Sequence, residues 1–487
     1  MLTTERCARS RAVRRRPPEP KSSVDDSIND HVPPELPLKL SIVGSGYVGL
    51  ITGVCLAERG HDVTLVDIDS TKVDAINAGR SPIHEEGLAP LLEKHAGRSV
   101  RATRDLDAAV QATDLTMIAA PTPFDGLAID LSAIRTIAHG IGESLAKKTS
   151  YHVVVVKSTV GPGTTDGTVT PILERASGKH AGEHFGVGMN PEFLSEGVAL
   201  SDFLSPDRIV LGGMDERTTD AMARLYESFT DAPVLRTNNR TAEMIKYASN
   251  ALQATMISFA NEIGNLCEGL GGMDVVDVLH GTHLMKELTF ASPGSAGRRK
   301  AGITGFLGAG CGFGGSCFPK DVKAIVAHGQ THGITMSLLQ SVLEINQAQP
   351  VRMVEMLEQA IGSLAGRRIA VLGLAFKPGT DDMRESPSLP IIRELVQRGA
   401  NVQAYDPIAN DAARRALPGV KVEFCSSLDA ALRHADAIAL VTKWAEFTVL
   451  PEKIRALEPV PTLVDGRRFV APESVPRYFG IGLGREG

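Results

Sequence analysis

The apolar positions of this chain fall in short β-branched runs that break off into glycine-rich or polar turns, and several runs are followed by a stretch of helical periodicity. That alternation predicts an α/β fold built on parallel strands. The first run occupies 38–43 in "LKLSIVGSGYVGLITGVCLAERGHDVTLVDID". A turn of Gly44-Ser45-Gly46-Tyr47-Val48-Gly49 follows, then an amphipathic helix, Gly60, and a second strand ending at Asp67. Further strands are predicted within 114–123 ("DLTMIAAPTP"), 152–160 ("HVVVVKSTV") and 184–193 ("HFGVGMNPEF"). Their carboxyl ends would line a ligand crevice, with Thr122, Ser158, Thr159, Asn190, Glu192 and Glu196 placed to face it. Helix capping or turn formation is the other use of each.

The period changes at 241–271. Ala248, Leu252, Met256, Phe259, Ile263, Leu266 and Leu270 recur at spacings of three and four, which predicts one long helix with an apolar stripe. Such a helix suits a connector between domains and the core of a dimer. Lys246, Asn250 and Gln253 share a different face, either solvated or turned to a cleft. The last block repeats the first: strand 368–374, turn, helix 387–398, Gly399, strand 401–405 and Asp406, with "DAIALVTKW" (436–444) matching "DLTMIAAPTP". The expected architecture is two Rossmann-like parallel-sheet domains joined by a central helical domain with one long connector helix. Its expected divisions are 1–36, a basic disordered extension; 37–236; 237–362; and 363–487.

The two strand-turn-helix units differ in their turns. In the first, G-x-G-x-x-G stands between a strand and a helix, with Asp67 18 residues after Gly49. Those glycines admit a pyrophosphate to the helix N-terminus, and a carboxylate at Asp67 binds ribose hydroxyls while repelling a 2′-phosphate. NAD is therefore the expected cofactor. The second turn carries Lys377, Asp381, Asp382, Arg384 and Glu385 in place of the glycines, which suits a different, phosphate-bearing ligand.

Composition narrows the classes further. The chain has 487 residues and a net charge of −6, which gives no reason to expect nucleic-acid binding by the folded part. No apolar run is long enough to span a bilayer and no signal peptide is visible, so no membrane partner and a cytoplasmic location are expected. The first 21 residues carry seven Lys or Arg against two acids. A disordered extension is the expected reading, with a basic binding tail or an organellar leader as alternatives. Six cysteines without C-x-x-C pairs, and histidines without ligand spacing, suggest reduced thiols and no metal. Cys317, in "GFGGSCFPKD", is either a reactive thiol or a small residue in a tight turn.

Five motifs in this order, "GSGYVGL", "KSTVGPGT", "NPEFLSEG", "GFGGSCFPKD" and "FKPGTDDMRESP", resemble the nucleotide-sugar 6-dehydrogenases of the UDP-glucose/GDP-mannose type, over about Leu38 to Phe469. The resemblance implies oxidation of a sugar C6 alcohol to a carboxylate with two NAD and one water. It implies that Cys317 is the nucleophile, forming a thiohemiacetal and then a thioester. Lys246, with Asn250 beside it, would stabilise the oxyanion; Asp321 and Thr159 would hold a water; Glu192 would act as general base. Lys320 would help the thiolate and touch the cofactor site. For NAD the resemblance adds Val48, Asp67, Lys72, Thr122, Thr159, Glu196, Lys320 and Arg384. For the sugar nucleotide it implies Glu192, Phe193, Leu194, Ser195 and Glu196, with Lys246, Asn250, Phe306, Leu307, Gly308, Ala309, Gly310, Gly314, Lys377 and Arg467. "NPEFLSEG" and "SCFPKD" lean towards UDP-glucose, hence UDP-glucuronate as product, over GDP-mannose. A homodimer or higher homo-oligomer is implied, and an inactive sugar-nucleotide sensor is the non-enzyme alternative.

The chain departs from the family pattern at Gly308, Cys311 and Gly379, where histidine or lysine, proline or valine, and asparagine are usual. Cys311 either packs or pairs with Cys317. The family's intersubunit arginine is replaced by Ala301, leaving Arg298 or Arg299 to take over or the contact absent.

Overall fold

A computed structural model describes residues 37–291 and 297–484. The expected extension over 1–36, with Cys7, lies outside the described residues. The first sheet holds β1 (Lys39–Val43), β2 (Asp62–Val66), β3 (Val100–Thr103), β4 (Leu115–Ile118), β5 (His152–Val156), β6 (Phe185–Met189), β7 (Ile209–Gly213) and β8 (Val234–Thr237). They lie in the order β3-β2-β1-β4-β5-β6-β7-β8. A small antiparallel hairpin of β9 (Thr289–Ala291) and β10 (Arg298–Lys300) follows. The second sheet holds β11 (Arg368–Leu372), β12 (Asn401–Tyr405), β13 (Val422–Phe424), β14 (Ala437–Leu440), β15 (Thr462–Asp465) and β16 (Tyr478–Gly480), in the order β13-β12-β11-β14-β15-β16. The inner strands are apolar on both faces because helices cover both faces of a parallel sheet; all five residues of β5, His-Val-Val-Val-Val, are buried. Each such valine contributes about 1.5–3 kcal/mol by leaving water.

The second sheet is parallel throughout. The first departs from the expected parallel arrangement at one junction, where β6 and β7 pair antiparallel through Gly188–Gly213 and Met189–Gly212. The segment between them spends its length on the loop 190–198 and the six-residue helix Ala199–Leu204, so the chain re-enters the sheet at the end it left. The glycines make the junction tight, since a Cβ on Gly188 would stand 2.9 Å from the Gly212 carbonyl oxygen.

The long helix runs Asn239–Leu270, and the Asn238 side chain caps it by accepting from the Thr241 amide. Its first turn is fixed to the first sheet, where Asn239 Nδ2 donates to the Val187 carbonyl at 3.3 Å. Near its other end Glu268 accepts from Gly482, just beyond β16, at 2.6 Å. Lys246, Tyr247 and Asn250 lie on its buried face. The apolar stripe points away from the rest of the chain: Leu252 is 53% exposed, Phe259 46%, Leu266 56% and Leu270 67%. Among the described residues no helix is long and apolar enough to cross a membrane.

Candidate active site

The turn after β1 is shaped by what its glycines lack. Gly44 has φ +101°, and a Cβ there would lie 2.6 Å from the Ala119 carbonyl oxygen; one on Gly49 would lie 1.8 Å from the Gly44 oxygen. Nothing lies within 4 Å of a Cβ on Gly46, which leaves the backbone open to a ligand at the start of the helix Tyr47–Glu58. Asp67, just past β2, accepts from the Ser45 amide at 2.9 Å and the Ser45 hydroxyl at 2.6 Å, and from the Asp69 amide at 3.0 Å. Burial pushes its pKa up, but these hydrogen bonds and Lys72, 3.8 Å away, outweigh it and hold the carboxyl below its ordinary range. An open cradle beside an ionised carboxylate fits NAD. Thr122 lies nearby, its hydroxyl donating to the Thr159 carbonyl at 2.7 Å.

Between the two sheets is a cavity of about 510 Å³. Cys317 lines it from the N-terminus of the helix Phe318–Thr331, with Ser316 Oγ 3.5 Å from its sulfur. Opposite stands a buried ion pair, Lys246 Nζ to Glu192 Oε1 at 2.8 Å, with the other Glu192 oxygen accepting from the Leu194 amide at 2.7 Å. Asn250 donates to Asp321 Oδ2 at 2.6 Å. Lys320 donates to the other Asp321 oxygen at 2.6 Å, so its charge is committed there. The cation that acts most strongly on the thiol is Lys246, with Lys377 and Arg384 acting more weakly. Burial nevertheless pushes the Cys317 thiol up, since Glu192 and Asp321 oppose Lys246. Burial likewise works against the charges of Lys246 and Glu192. Glu192, Cys317 and Asp321 overcome it to raise the Lys246 pKa, and Lys246, the Leu194 amide and Lys157 overcome it to lower that of Glu192.

Of the residues expected around the sugar nucleotide, Glu192 to Glu196, Lys246, Asn250, Phe306, Gly314 and Lys377 line this cavity. A Cβ on Gly314 would lie 2.3 Å from the Glu385 carbonyl oxygen, so only glycine fits there. Leu307, Gly308, Ala309, Gly310 and Arg467 are not in its lining, nor are Thr159 and Asp321, which are expected in catalysis. The Gly310 amide donates to Asn261 at 2.7 Å. The Arg467 guanidinium is engaged by the carbonyls of Val441 at 2.6 Å and Gly312 at 3.0 Å. Arg384 pairs with Asp382 at 2.7 Å and with Glu196 at 3.1 Å. Burial and the neighbouring Asp382 push the Glu196 carboxyl up to about 7, against Arg384 and Ser316.

Cys311 packs: it is fully buried under the second sheet, its thiol facing the Val441 carbonyl at 3.6 Å, while Cys317 faces the cavity; both are free thiols. Arg298, exposed on β10, donates to the Thr289 hydroxyl at 2.6 Å. Neither it nor Arg299 lines the cavity.

Three residues at the site have no expected role from the sequence. Lys157 lines the cavity while only 3% exposed, its Nζ donating to Asn190 Oδ1 at 2.8 Å. A lysine interrupting the valines of "VVVVKSTV" is the signal that marks it. Arg208 stacks on the Phe193 ring at 3.9 Å. Glu85, 6% exposed, accepts from Tyr47 Oη at 2.5 Å and from the Gly197 and Ala199 amides at 2.7 Å, tying the cofactor turn to the cavity loop.

Models of the UDP-glucose/GDP-mannose dehydrogenase family match along the chain: the NAD binding domain over residues 38–230, the central domain over 240–348 and the UDP binding domain over 370–472. The chain is similar to UDP-glucose 6-dehydrogenase AglM of Haloferax volcanii, 45% identical over 438 residues, covering 89% of this chain and 97% of the relative. It is also similar to the GDP-mannose 6-dehydrogenase of Pseudomonas savastanoi pv. phaseolicola, 38% identical over 430 residues and covering 85% and 93%. Among solved structures it resembles a UDP-glucose dehydrogenase from the hyperthermophilic archaeon Pyrobaculum islandicum, with a TM-score of 0.83 at 37% identity over 93% of this chain and all of that one.

Proposed function

Because the chain belongs to the UDP-glucose/GDP-mannose dehydrogenase family and is an NAD-dependent nucleotide-sugar 6-dehydrogenase, we propose that it oxidises the C6 hydroxyl of UDP-glucose to the carboxylate, giving UDP-glucuronate. Two NAD and one water are consumed per sugar. One observation carries this reading: Cys317, the Lys246–Glu192 pair, Asn250 and Lys377 line one cavity, with Asp321 buried behind Asn250 as its hydrogen-bond acceptor.

NAD, when bound, accepts the hydride in each oxidation. The residues of the chain do the rest. An aldehyde has no readily transferred hydride until a nucleophile adds to it, and the Cys317 sulfur is the nucleophile in reach of the cavity. Lys246 supplies a buried ammonium to the oxygen that gains negative charge as sulfur adds. Loss of hydride from that adduct leaves a thioester on Cys317. Glu192, kept ionised by Lys246, takes a proton from the water that attacks it. Asn250 and Lys320 hold the Asp321 carboxylate still, ready to orient that water. Lys377, which lines the cavity, gives the diphosphate its counter-charge. All of these groups being present speaks against an inactive sensor.

The proposed domain division runs 37–236, 237–362 and 363–487. The bare stripe of Leu252, Phe259 and Leu266 supports a homodimer through the connector helix. A cytoplasmic location completes the reading. NADH released per sugar, measured across UDP- and GDP-sugars, tests the chemistry. Two NADH with UDP-glucose and little turnover of GDP-mannose are expected; one NADH per sugar, or preference for GDP-mannose, overturns it.

A further inference from the structure

Lys157 stands at the carboxyl end of β5 with no carboxylate at ion-pair distance among the described residues. Its one hydrogen bond goes to neutral Asn190, whose amide oxygen also accepts from Tyr226 Oη at 2.5 Å and whose Nδ2 donates to the Val210 carbonyl at 2.9 Å. Asn190 is thus fixed from three sides and holds the ammonium in place. A buried ammonium with only a neutral partner is costly unless a nearby negative charge offsets it. The rings of Phe203 and Tyr226 also line the cavity, with Lys157 Nζ 5.9 Å from the centre of the Phe203 ring.

The charges nearby offset that cost. Glu192 faces Lys246 from the connector helix and Lys157 from β5; Lys246 in turn faces Cys317 and Asp321. Arg208 stacks on Phe193 at the same cavity. Asp321 has its own partner in Lys320. Among Lys157, Lys246 and Glu192, the last two cancel and Lys157 is the cation left over. The other charges lining the cavity are Arg208, paired with Asp207 at 2.6 Å, Asp202, which accepts from the Ser195 amide at 2.8 Å, Glu196 and Lys377. Burial pushes its pKa down to about 8, with Glu192 opposing and Lys246 reinforcing that fall.

Lys246 has two tasks that compete. It holds Glu192 ionised, and in the proposed reaction it must also turn its ammonium to the oxygen of the reacting carbon. Once it does so, Glu192 is a buried carboxylate with one hydrogen bond, from the Leu194 amide. We propose that Lys157 is a positioning residue that keeps Glu192 a carboxylate when Lys246 turns to the substrate oxygen, so that the thioester can be hydrolysed. In that step the water oxygen bonds to the thioester carbon and the carbon–sulfur bond breaks. One water proton passes to Glu192 and on to the departing sulfur, and the acid product releases the other to solvent. This rests on the reading of Glu192 as the general base.

The test uses the whole enzyme with NAD and UDP-glucose, comparing Lys157→Met and Lys157→Arg with the parent. For Lys157→Met, the acid limb of the kcat–pH profile is expected to move up by about one pH unit. Turnover should fall about tenfold at pH values on that limb and little at alkaline pH. Acyl-enzyme at Cys317 should build up in quenched samples read by intact mass, and Lys157→Arg should restore most of the activity. Where Lys157→Met does not fold, Lys157→Gln, which can still donate to Asn190, takes its place with the same expectation. An unmoved acid limb overturns the proposal, as does lost activity with lower thermal stability and no acyl-enzyme. Glu192→Gln separates the two levels. If it hydrolyses the thioester normally, the base assignment fails. If it accumulates acyl-enzyme while the Lys157 variants keep the parental pH limb, only the role of Lys157 fails.

Discussion

The first six strands of the first sheet repeat the order of the six in the second, and both sheets put an aspartate just past the second strand, yet the two carboxylates have opposite fates. Asp67 binds one serine and one backbone amide and keeps a cationic neighbour. Asp406 is 1% exposed and is used up by the fold: one oxygen accepts from the Leu374 and Ala375 amides and from Trp444 Nε1, the other from the Ile408 and Ala409 amides. The turn after β11 is thereby sealed against its own aspartate, while the turn after β1 is left open at Gly46. The same topology thus gives a cofactor cradle in one copy and a self-satisfied turn in the other. What separates them is how many amides the chain aims at one carboxylate.

The variant with the largest effect acts where the two sheets meet. Cys317→Ser should lower kcat by about three orders of magnitude or more while NAD binding stays intact. Normal release of two NADH by that variant would remove the thiol from the chemistry. Asp67→Ala should raise KM for NAD by roughly 10–100-fold, the worth of one charged hydrogen bond, with stability little changed. The matching change in the second sheet should do the reverse. Asp406→Asn, which weakens its bonds to five donors, should cost about 2–3 kcal/mol of folding stability in denaturant titration and leave KM for NAD alone. A weakened NAD affinity there would break the comparison.

The smallest effect concerns Glu196, which joins the two sheets through Arg384. In the unfolded chain this carboxyl titrates near 4.5, and in the fold near 7. Between those values the folded protein keeps a proton the unfolded chain has lost. Its stabilising contribution is therefore full below about 4.5 and is lost as pH rises through about 7. Glu196→Gln should flatten this part of the stability–pH curve, measured by denaturant midpoints at pH 5.5 and 8.

The elements with strong local signals were legible in the chain itself. The strand at 401–405 and the long helix lie within two residues of their expected bounds, and the turn begins at Gly44 as expected but gives way to the helix at Tyr47, three residues early. The antiparallel entry of β7 was not legible, because strand direction depends on where the 190–208 segment returns rather than on any local pattern. At the site, Glu192, Lys246 and Cys317 come together as the motifs imply. The pairing of Lys320 with Asp321 could not be read from the spacing "CFPKD", since that spacing does not say which way the ammonium turns. Lys157 and Glu85 escaped notice because their partners, Asn190 and Gly197, lie far along the chain.

The connector helix, anchored to the first sheet at Asn239 and reached by Gly482 near its far end, has a consequence of dimension. With 32 residues it is a rod about 48 Å long. It carries Lys246 and Asn250 as fixed marks along its length, so the gap between the NAD turn and Lys377 is a measured span rather than an adaptable one. Adding four residues near its middle would lengthen the rod by about 6 Å and rotate its far half by roughly 40°. The second sheet would then be carried out of register with the first, and no single side chain could restore the fit. The length of the helix therefore sets the spacing of the parts it joins.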